Sequence, residues 1–562
     1  GDVEGRCRGQ RIRTLKGRVM GNSVVDTRRI TILVASETGN SLDVGEALES
    51  SIAAFCPKLR LIEAVDYDLD ELEREDILLM VTSTQGEGEP PYGAEDLYDA
   101  VVMGKREFSL RQVSFAVLGL GDSAYAENYN LMARQFDARY EQLGATRLLA
   151  HGECDFDYED TAARWVDTVT VLLRHELGAE KNEAVSVREP VAKQGPTEKA
   201  ALHGTCAKAT LVGRELLSSP EARKHVYRVR LRLSDDADYL PGDLLAITYR
   251  NADDTVKSFI EHVFTNDNEQ VSSELRHTLQ NSRDITRTTP RLILRYAEVF
   301  GNERLQSEIG DDEWLREYAA LHPPYALFTD YPARIRVTPE SVLEVFSAPC
   351  RRMYSISNIR ESSDGLVDLT VRKVEYTFDG RRQVGECSRM LTQAPVGSTM
   401  DYAVLSNERF RLPASQSAEI VMIALGSAIA PYRAFLQERS LHHASFGRNW
   451  LIVGNKSPEE DYLYRTELEQ YADSGLLREL SVAWSRFGDA PEHVQDVIIA
   501  RGDMLWQLIQ SGAFIYLCGH GRAAVRSIEQ ALRRGVEEHS SLSEAEIVAY
   551  MDRLRSTNHL CY

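Results

Sequence analysis

The chain has no long hydrophobic run. Its apolar stretches, such as Ile77 to Val81 and Val421 to Leu425, are of strand length and fall far short of the roughly 20 residues that a membrane-spanning helix needs. No membrane anchor is expected. Residues 1 to 29 carry Arg6, Arg8, Arg11, Arg13, Arg18, Arg28 and Arg29 but no hydrophobic stretch, which excludes a secretory signal there and leaves a flexible leader as the expectation. Cysteine is scarce: eight residues, with no Cys-x-x-Cys pair and no Cys/His cluster at zinc or iron–sulfur spacing. No metal site is expected, and a reducing cytoplasm is the expected compartment. Positive charge is also short, 65 Lys and Arg against 86 Asp and Glu for a net −21, which argues against nucleic acid as a partner. The deficit is concentrated between residues 31 and 178, where roughly 29 acidic residues face about 11 basic ones.

At 562 residues, 43% apolar and 27% charged, the chain reads as globular and divides naturally into about three domains. Thr31 to Ala35 is a short β-rich run ending in Ser36-Glu37-Thr38-Gly39-Asn40-Ser41, followed by a helical pattern with Val44, Leu48, Ile52 and Phe55 on one face. A hydroxyl-rich loop at a helix N-terminus suits a phosphate held without a lysine, although an ordinary N-cap explains the same string. A second strand, Ile77 to Val81, runs into Thr82-Ser83-Thr84-Gln85-Gly86-Glu87-Gly88-Glu89-Pro90-Pro91, whose glycines and prolines forbid regular structure. A third, Phe115 to Leu118, opens into Gly119-Leu120-Gly121-Asp122-Ser123-Ala124-Tyr125. Three consecutive βα units deliver these loops to one edge of a parallel sheet, where doubly wound folds bind ligands.

Residues 179 to 200 turn polar around Pro190, Gly195 and Pro196 and read as a linker. Beyond them Ala207 to Leu211, Val226 to Leu233 and Leu244 to Tyr249 are strand-like around Pro241-Gly242-Asp243, consistent with an antiparallel barrel. Residues 255 to 322 become helical, with Leu292, Tyr296, Val299 and Leu305 at suitable spacing. In Arg351-Arg352-Met353-Tyr354-Ser355-Ile356-Ser357 strand alternation puts Arg352 and Tyr354 on one side, a guanidinium fork for a phosphate beside a phenol for a flat ring. Gly385-Glu386-Cys387-Ser388 opens a helix whose N–H groups suit a pyrophosphate. The last region begins with the strand Glu419 to Ala424 and the loop Leu425-Gly426-Ser427-Ala428-Ile429-Ala430-Pro431-Tyr432-Arg433.

These motifs, in this order, resemble the diflavin reductases, and the resemblance spans about residue 30 to 560. STQGEGEPP is closer to the flavoprotein subunit of NADPH-sulfite reductases than to the reductases of cytochromes P450. The resemblance implies a multidomain chain: a leader at 1–29, a flavodoxin-like α/β domain at 30–178, a linker at 179–200, an antiparallel β-barrel FAD domain at 201–412 with a helical insertion at about 255–335, and a ferredoxin-reductase-like α/β NADP(H) domain at 413–562. It implies an oxidoreductase that passes electrons from NADPH, with NADH as the alternative, through FAD and FMN to a haem-type acceptor. That partner is expected to be the sirohaem and iron–sulfur hemoprotein subunit of sulfite reductase. The alternatives are a soluble reductase for a P450 or other haem protein, and a flavin-binding subunit whose nucleotide site has decayed. In an electron carrier the acidic first domain would steer a basic partner.

Carried over by resemblance, Ser36, Glu37, Thr38, Gly39, Asn40 and Ser41 would hold the FMN phosphate. Ser83, Thr84, Gln85 and Gly86 would line its ring, Tyr125 would stack on it, and Leu120, Gly121, Asp122, Tyr129 and Asp155 would complete the FMN site. FAD would contact Arg352, Met353, Tyr354, Ser355, Thr370, Val371, Arg372, Tyr376, Gly385, Glu386, Cys387 and Ser388, with Tyr562 as a shielding ring. The nucleotide would contact Gly426, Ser427, Arg433, Ser485, Arg486, His493 and Gln495, and Ser355 and Cys518 would flank the hydride path. The family pattern breaks chiefly at the nucleotide. Ala428 stands for a glycine, Phe487 for an aspartate, Pro491-Glu492-His493-Val494-Gln495 for a Lys-x-Tyr-x-Gln string, and no aspartate precedes Tyr562. Arg486 is then left as the one cation for a 2′-phosphate, helped by His493 when protonated, and weakened NADPH selectivity, or a poor reductase, stands as an alternative to the NADPH-dependent reading.

Overall fold

The computed structural model describes residues 28–36, 40–85, 88–91, 93–121, 128–155, 158–177, 207–234, 237–264, 271–349, 351–362, 365–407, 410–441, 447–488, 491–519, 522–557 and 559–561. The first unit is an all-parallel sheet of β1 (Ile30–Ala35), β2 (Leu59–Glu63), β3 (Ile77–Ser83), β4 (Ser114–Leu120), β5 (Thr146–Arg147) and β6 (Gly152–Cys154). The order is β2-β1-β3-β4-β5, with β6 also paired to β4. Helices Asn40–Ile52 and Glu159–Glu176 cover one face and helices Glu95–Val101 and Leu131–Gln142 the other. A parallel strand buried on both faces needs apolar residues at every position. That is why β1, β3 and β4 read as nearly continuous apolar runs, with the buried Thr31 of β1 satisfied by Glu75 (2.7 Å); the strand order is the flavodoxin-like arrangement.

The second unit is antiparallel. Strands β7 (Ala207–Leu216), β8 (Val226–Arg232), β9 (Leu244–Ile247), β10 (Arg352–Ser355), β11 (Leu366–Arg372) and β14 (Thr399–Leu405) lie in the order β10-β9-β14-β7-β8-β11. The two outermost strands meet again at the single antiparallel bridge Ile356–Leu369. β12 (Glu375–Phe378) and β13 (Arg381–Val384) form a separate hairpin, so Tyr376 stands outside the main sheet. The helical insertion runs from Asp253 to Val345, around its own core of Phe259, Tyr296, Phe300 and Phe346. It continues past the expected end because Thr338 and Ser341 form a capping box, with Pro339 at the first turn, and start another helix.

The third unit is again parallel, with β15 (Ile420–Leu425), β16 (Asn449–Asn455), β17 (Glu479–Trp484), β18 (Phe514–Cys518) and β19 (Leu560–Cys561) in the order β17-β16-β15-β18-β19. The turn Pro241-Gly242-Asp243 ties the antiparallel sheet to the segment entering this unit. Asp243 is buried and accepts the N–H groups of Leu240 (2.7 Å) and Asn407 (3.1 Å), and Arg411 donates to the Pro241 carbonyl (3.2 Å). Gly242 has φ +103°, and a Cβ there would lie 1.8 Å from the Phe410 carbonyl oxygen. Gly242→Ala is therefore expected to destabilise the chain by about 2–3 kcal/mol or more, read as a lowered unfolding midpoint in denaturant. An unchanged midpoint would contradict this account of the junction.

Candidate functional site

At the first sheet the strand ends are in register, Ala35 beside Thr82, Ser83 beside Leu120 and Leu120 beside Cys154, so the three loops leave from one edge. Ser36 Oγ accepts the Ser41 N–H (3.2 Å) and starts the helix behind it. Thr84 donates its N–H to Leu120 O (3.1 Å), while its hydroxyl accepts the Met132 N–H (3.1 Å). Gln85 and Glu89 pair across a tight turn. Asn130, at φ +50°, and the Gly121 N–H both donate to Cys154 O (2.9 and 3.1 Å). A Cβ on Gly119 would meet the Asn130 side chain at 2.5 Å; that glycine makes room for the residue that ties the loops together. Burial, then the charges of Asp155 and Glu153, raise the Tyr129 phenol above its ordinary value, so it stays protonated as a donor. Hydroxyls, loop amides and a helix N-terminus are a donor set that fits a phosphate. Glu37, Thr38, Gly39, Gly86, Asp122 and Tyr125 lie outside the described residues.

A cavity of about 1090 Å³ opens between the first two units. One wall is Gly88, Glu89, Pro90 and Tyr98 of the flavodoxin-like unit; the other is Arg352, Tyr354, Tyr376 and the Gly385–Ser388 turn. Strand alternation explains the selection: Arg352 and Tyr354 line the cavity, while Met353 and Ser355 do not. Of the other expected FAD contacts, Val371 is fully buried in the sheet core, Thr370 is hydrogen-bonded to Tyr464, and Arg372 stands outside the cavity lining. Tyr562 lies outside the described residues. The Ser388 hydroxyl closes its own turn, donating to Gly385 O (2.9 Å) and accepting the Val374 N–H (3.0 Å). Burial raises the Glu386 carboxyl above its ordinary value. Burial likewise pushes the Cys387 thiol up to about 12, which makes it an inert wall. The cavity's size, its aromatic faces and its arginine fit a flavin dinucleotide.

The residue that organises this wall escaped the sequence reading. Asp284 is fully enclosed and accepts the Tyr249 hydroxyl (2.8 Å) and the N–H and hydroxyl of Thr286 (2.9 and 2.8 Å), and Arg352 lies against it at 3.4 Å. Burial alone would raise its pKa, but the Arg352 charge and those hydrogen bonds outweigh it and hold the carboxyl below the usual range. Arg352 also stacks over the Tyr249 ring.

A second cavity of about 430 Å³ lies at the C-terminal edge of the third sheet, lined by Gly426, Lys456, Ser485, Glu492, His493 and Gln495 among others. Gly426 has φ +57°, and its open side faces empty space. Ala428 is buried and does not line the cavity, so its extra methyl does not obstruct it. Ser427 and Arg433 do not line it either. Arg433 is turned inward, onto Glu467 (2.7 and 3.0 Å), Asp368 (3.2 Å) and the Ser357 carbonyl (2.9 Å). His493 caps the helix Val494–Ala500 beside Asp496. Arg486 is not left alone. Its N–H donates to Lys456 O (2.9 Å), and the Ser219 N–H donates to Glu460 O (2.8 Å), which brings the loop bearing Lys224 alongside. Partial burial, then the charges of Arg372, Lys456, Arg223 and Arg486, hold the Lys224 ammonium below its ordinary value. Lys224 thus has four other cations within electrostatic reach; of these Lys456 lines the cavity, while Arg486 and Lys224 itself stand outside its lining. Cys518, whose thiol burial pushes up to about 12, lines neither cavity.

The fold and its two cavities define a flavodoxin unit joined to an oxidoreductase unit: residues 32–165 match the flavodoxin family and residues 422–528 the oxidoreductase NAD-binding domain family. Among relatives, the sulfite reductase (NADPH) flavoprotein alpha-component of Neisseria meningitidis serogroup B is 33% identical over 94% of this chain and 88% of its own length. The proteins of the same name from Yersinia enterocolitica and Zymomonas mobilis are 31% and 32% identical over the same shares. The chain belongs to the sulfite reductase flavoprotein alpha-component family, within the diflavin reductases. Among the described residues no helix is long and apolar enough to cross a membrane.

Asp284→Ala is expected to weaken FAD binding about 10- to 100-fold, as loss of a buried charge-assisted network does; titration of the deflavinated protein with FAD measures it. The folded carboxyl is depressed, so its stabilisation is complete above about pH 4 and is lost only as the pH falls through the lowered value. FAD retention in the wild type should follow the same course.

Proposed function

We propose that this chain draws electrons from NADPH, passes them through FAD to FMN, and delivers them singly to a haem-type acceptor, the sulfite reductase hemoprotein. We read the six-stranded antiparallel sheet as a barrel that carries FAD, the loop edge of the first sheet as the FMN site, and the smaller cavity as the NADPH site. The observation that carries this reading is the cavity lined from both units. Its position lets the turn ending β3 and the Arg352–Tyr354 wall serve two flavins that face each other out of bulk water.

When bound, the flavins supply the conversion of hydride transfer into single-electron transfer. The chain's own residues do the rest. Arg352, braced by Asp284 and Tyr249, offers its guanidinium to a phosphate. The start of the helix Glu386–Gln393 presents backbone N–H groups to the same anion. Tyr354, kept protonated by burial, and Tyr376 supply ring faces. At the smaller cavity Lys456 neutralises a nucleotide phosphate, with the nearby charges of Lys224 and Arg486 in support, and replaces the lysine that the family string lacks here.

Anaerobic mixing tests this directly. NADPH is expected to bleach the flavin absorbance of the holoprotein faster than NADH does. Lys456→Ala is expected to raise the NADPH concentration needed about 10- to 100-fold, the worth of one charge-assisted phosphate contact, and to leave reduction by dithionite unchanged. A holoprotein that dithionite reduces and NADPH does not would sink the proposal.

A further inference from the structure

β11 is two-faced. Val367, Leu369 and Val371 are fully buried in the antiparallel sheet, so Asp368 and Thr370 project from the opposite side, and both meet residues of the third unit. Asp368, 1% exposed, is opposed on the neighbouring strand by Arg230 (Nε–Oδ1 2.9 Å) and from across the boundary by Arg433 (Nη1–Oδ2 3.2 Å). Thr370 shares a 2.7 Å hydrogen bond with the Tyr464 hydroxyl.

The partner element is the helix Ala430–Ser440, which follows directly on the Gly426 loop of the nucleotide cavity. Arg433 and Gln437 lie one turn apart on one of its faces. Both point into the boundary: Gln437 accepts the Ile359 N–H (3.0 Å) and the Ser362 hydroxyl (2.9 Å), while Arg433 also donates to the Ser357 carbonyl (2.9 Å). Arg433 is 6% exposed and lies over the Tyr464 ring, with its centre 4.9 Å from the ring centroid. Tyr464 is held at φ +54°, a left-handed conformation that a tyrosine adopts only when its surroundings impose it. Arg230, Asp368, Arg433 and Glu467 therefore form a chain of ion pairs across the boundary, joined by Arg228, which lies 3.7 Å from Glu467 and also pairs with Glu215. They fasten the helix behind the nucleotide loop to the segment that continues β10, the strand of Arg352 and Tyr354.

We propose that Asp368 and Arg433 are a positioning pair for hydride transfer: their buried contact fixes the nucleotide-binding unit against β11 and against the segment that continues β10, the strand of Arg352 and Tyr354, and so sets the approach of nicotinamide to flavin. The inference rests on the reading of the two cavities given above. Neither residue touches a cofactor; each acts by holding the units in register, where displacement by about 1 Å can cost on the order of a hundredfold in rate.

Single-turnover reduction of the FAD- and FMN-loaded protein by NADPH tests the pair. Asp368→Asn leaves Arg433 with Glu467, and Arg433→Lys keeps a charge but loses the fork. Both are expected to lower the limiting reduction rate at saturating NADPH by about 10- to 100-fold, with the half-saturating NADPH concentration moved by less than about threefold. FAD content and reduction by dithionite should stay as in the wild type. The double variant is expected to be no slower than the slower single one, because the two act through one contact. Limiting rates within about twofold of wild type in both single variants, or a loss confined to nucleotide affinity, would overturn the proposal. Should either variant lose FAD, Tyr464→Phe removes only the hydrogen bonds of its hydroxyl, to Thr370 and to the Ser357 side chain. Its limiting rate is expected to fall by about three- to tenfold, and an unchanged rate would overturn the proposal equally. A wild-type protein that NADPH does not reduce would instead defeat the functional reading on which the pair rests.

Discussion

A guanidinium at the wall of a cavity must be held still without being neutralised, because an arginine that rotates freely in water gives a phosphate little, and one fully paired gives it nothing. Arg352 touches Asp284 at 3.4 Å and Tyr249 at 3.3 Å and lies over the Tyr249 ring, contacts that orient its guanidinium toward the cavity it lines. Asp284 spends its strong hydrogen bonds on Tyr249 and Thr286 instead. The carboxylate stays ionised in a buried place, and the arginine remains oriented and positive. The insertion that supplies Asp284 is thus part of the site and more than a spacer. It also supplies Arg287, which meets Glu89 of the flavodoxin-like unit at 3.4 Å across the larger cavity.

The same logic recurs at the boundary between the second and third units. Charges are placed where units meet, and at the boundary with the third unit buried carboxylates each have more than one partner. Asp243 serves the turn that leads into the third unit, and Asp368 serves the face of β11. Removing one partner of a buried pair costs roughly 3–5 kcal/mol, because the other charge is left uncompensated. Shared partners soften that loss and let the boundary keep its geometry. The nucleotide rim works differently. Its cations, Lys224 among them, stand at the surface and repel one another, a state relieved when an anion arrives.

Much of this was legible in the sequence where a local pattern carried the information. The nearly continuous apolar runs of β1, β3 and β4 and their loops announced a doubly wound sheet, and the alternation in Arg352-Met353-Tyr354 picked out the two residues of that strand that line the larger cavity. What was not legible depends on partners far along the chain. Asp284 and Tyr249 are 68 and 103 positions from Arg352, and no spacing rule joins them. Arg433 was assigned to the nucleotide because it follows the glycine loop; a motif does not say which face of a helix is turned inward, and Gln437 one turn on shares that buried face. Lys456 and Lys224 went unnoticed because lone lysines in loops carry no pattern. Only the packing of the 219–225 loop on the 456–461 turn brings them to Arg486.

The central claim is an order of electron flow, and selective removal of one flavin from the full chain tests it most directly. In protein stripped of FMN but loaded with FAD, NADPH should still bleach the flavin, while electrons no longer reach the haem acceptor. In protein stripped of FAD but loaded with FMN, NADPH should bleach nothing. Rapid reduction of FMN by NADPH in the FAD-free protein would contradict the account.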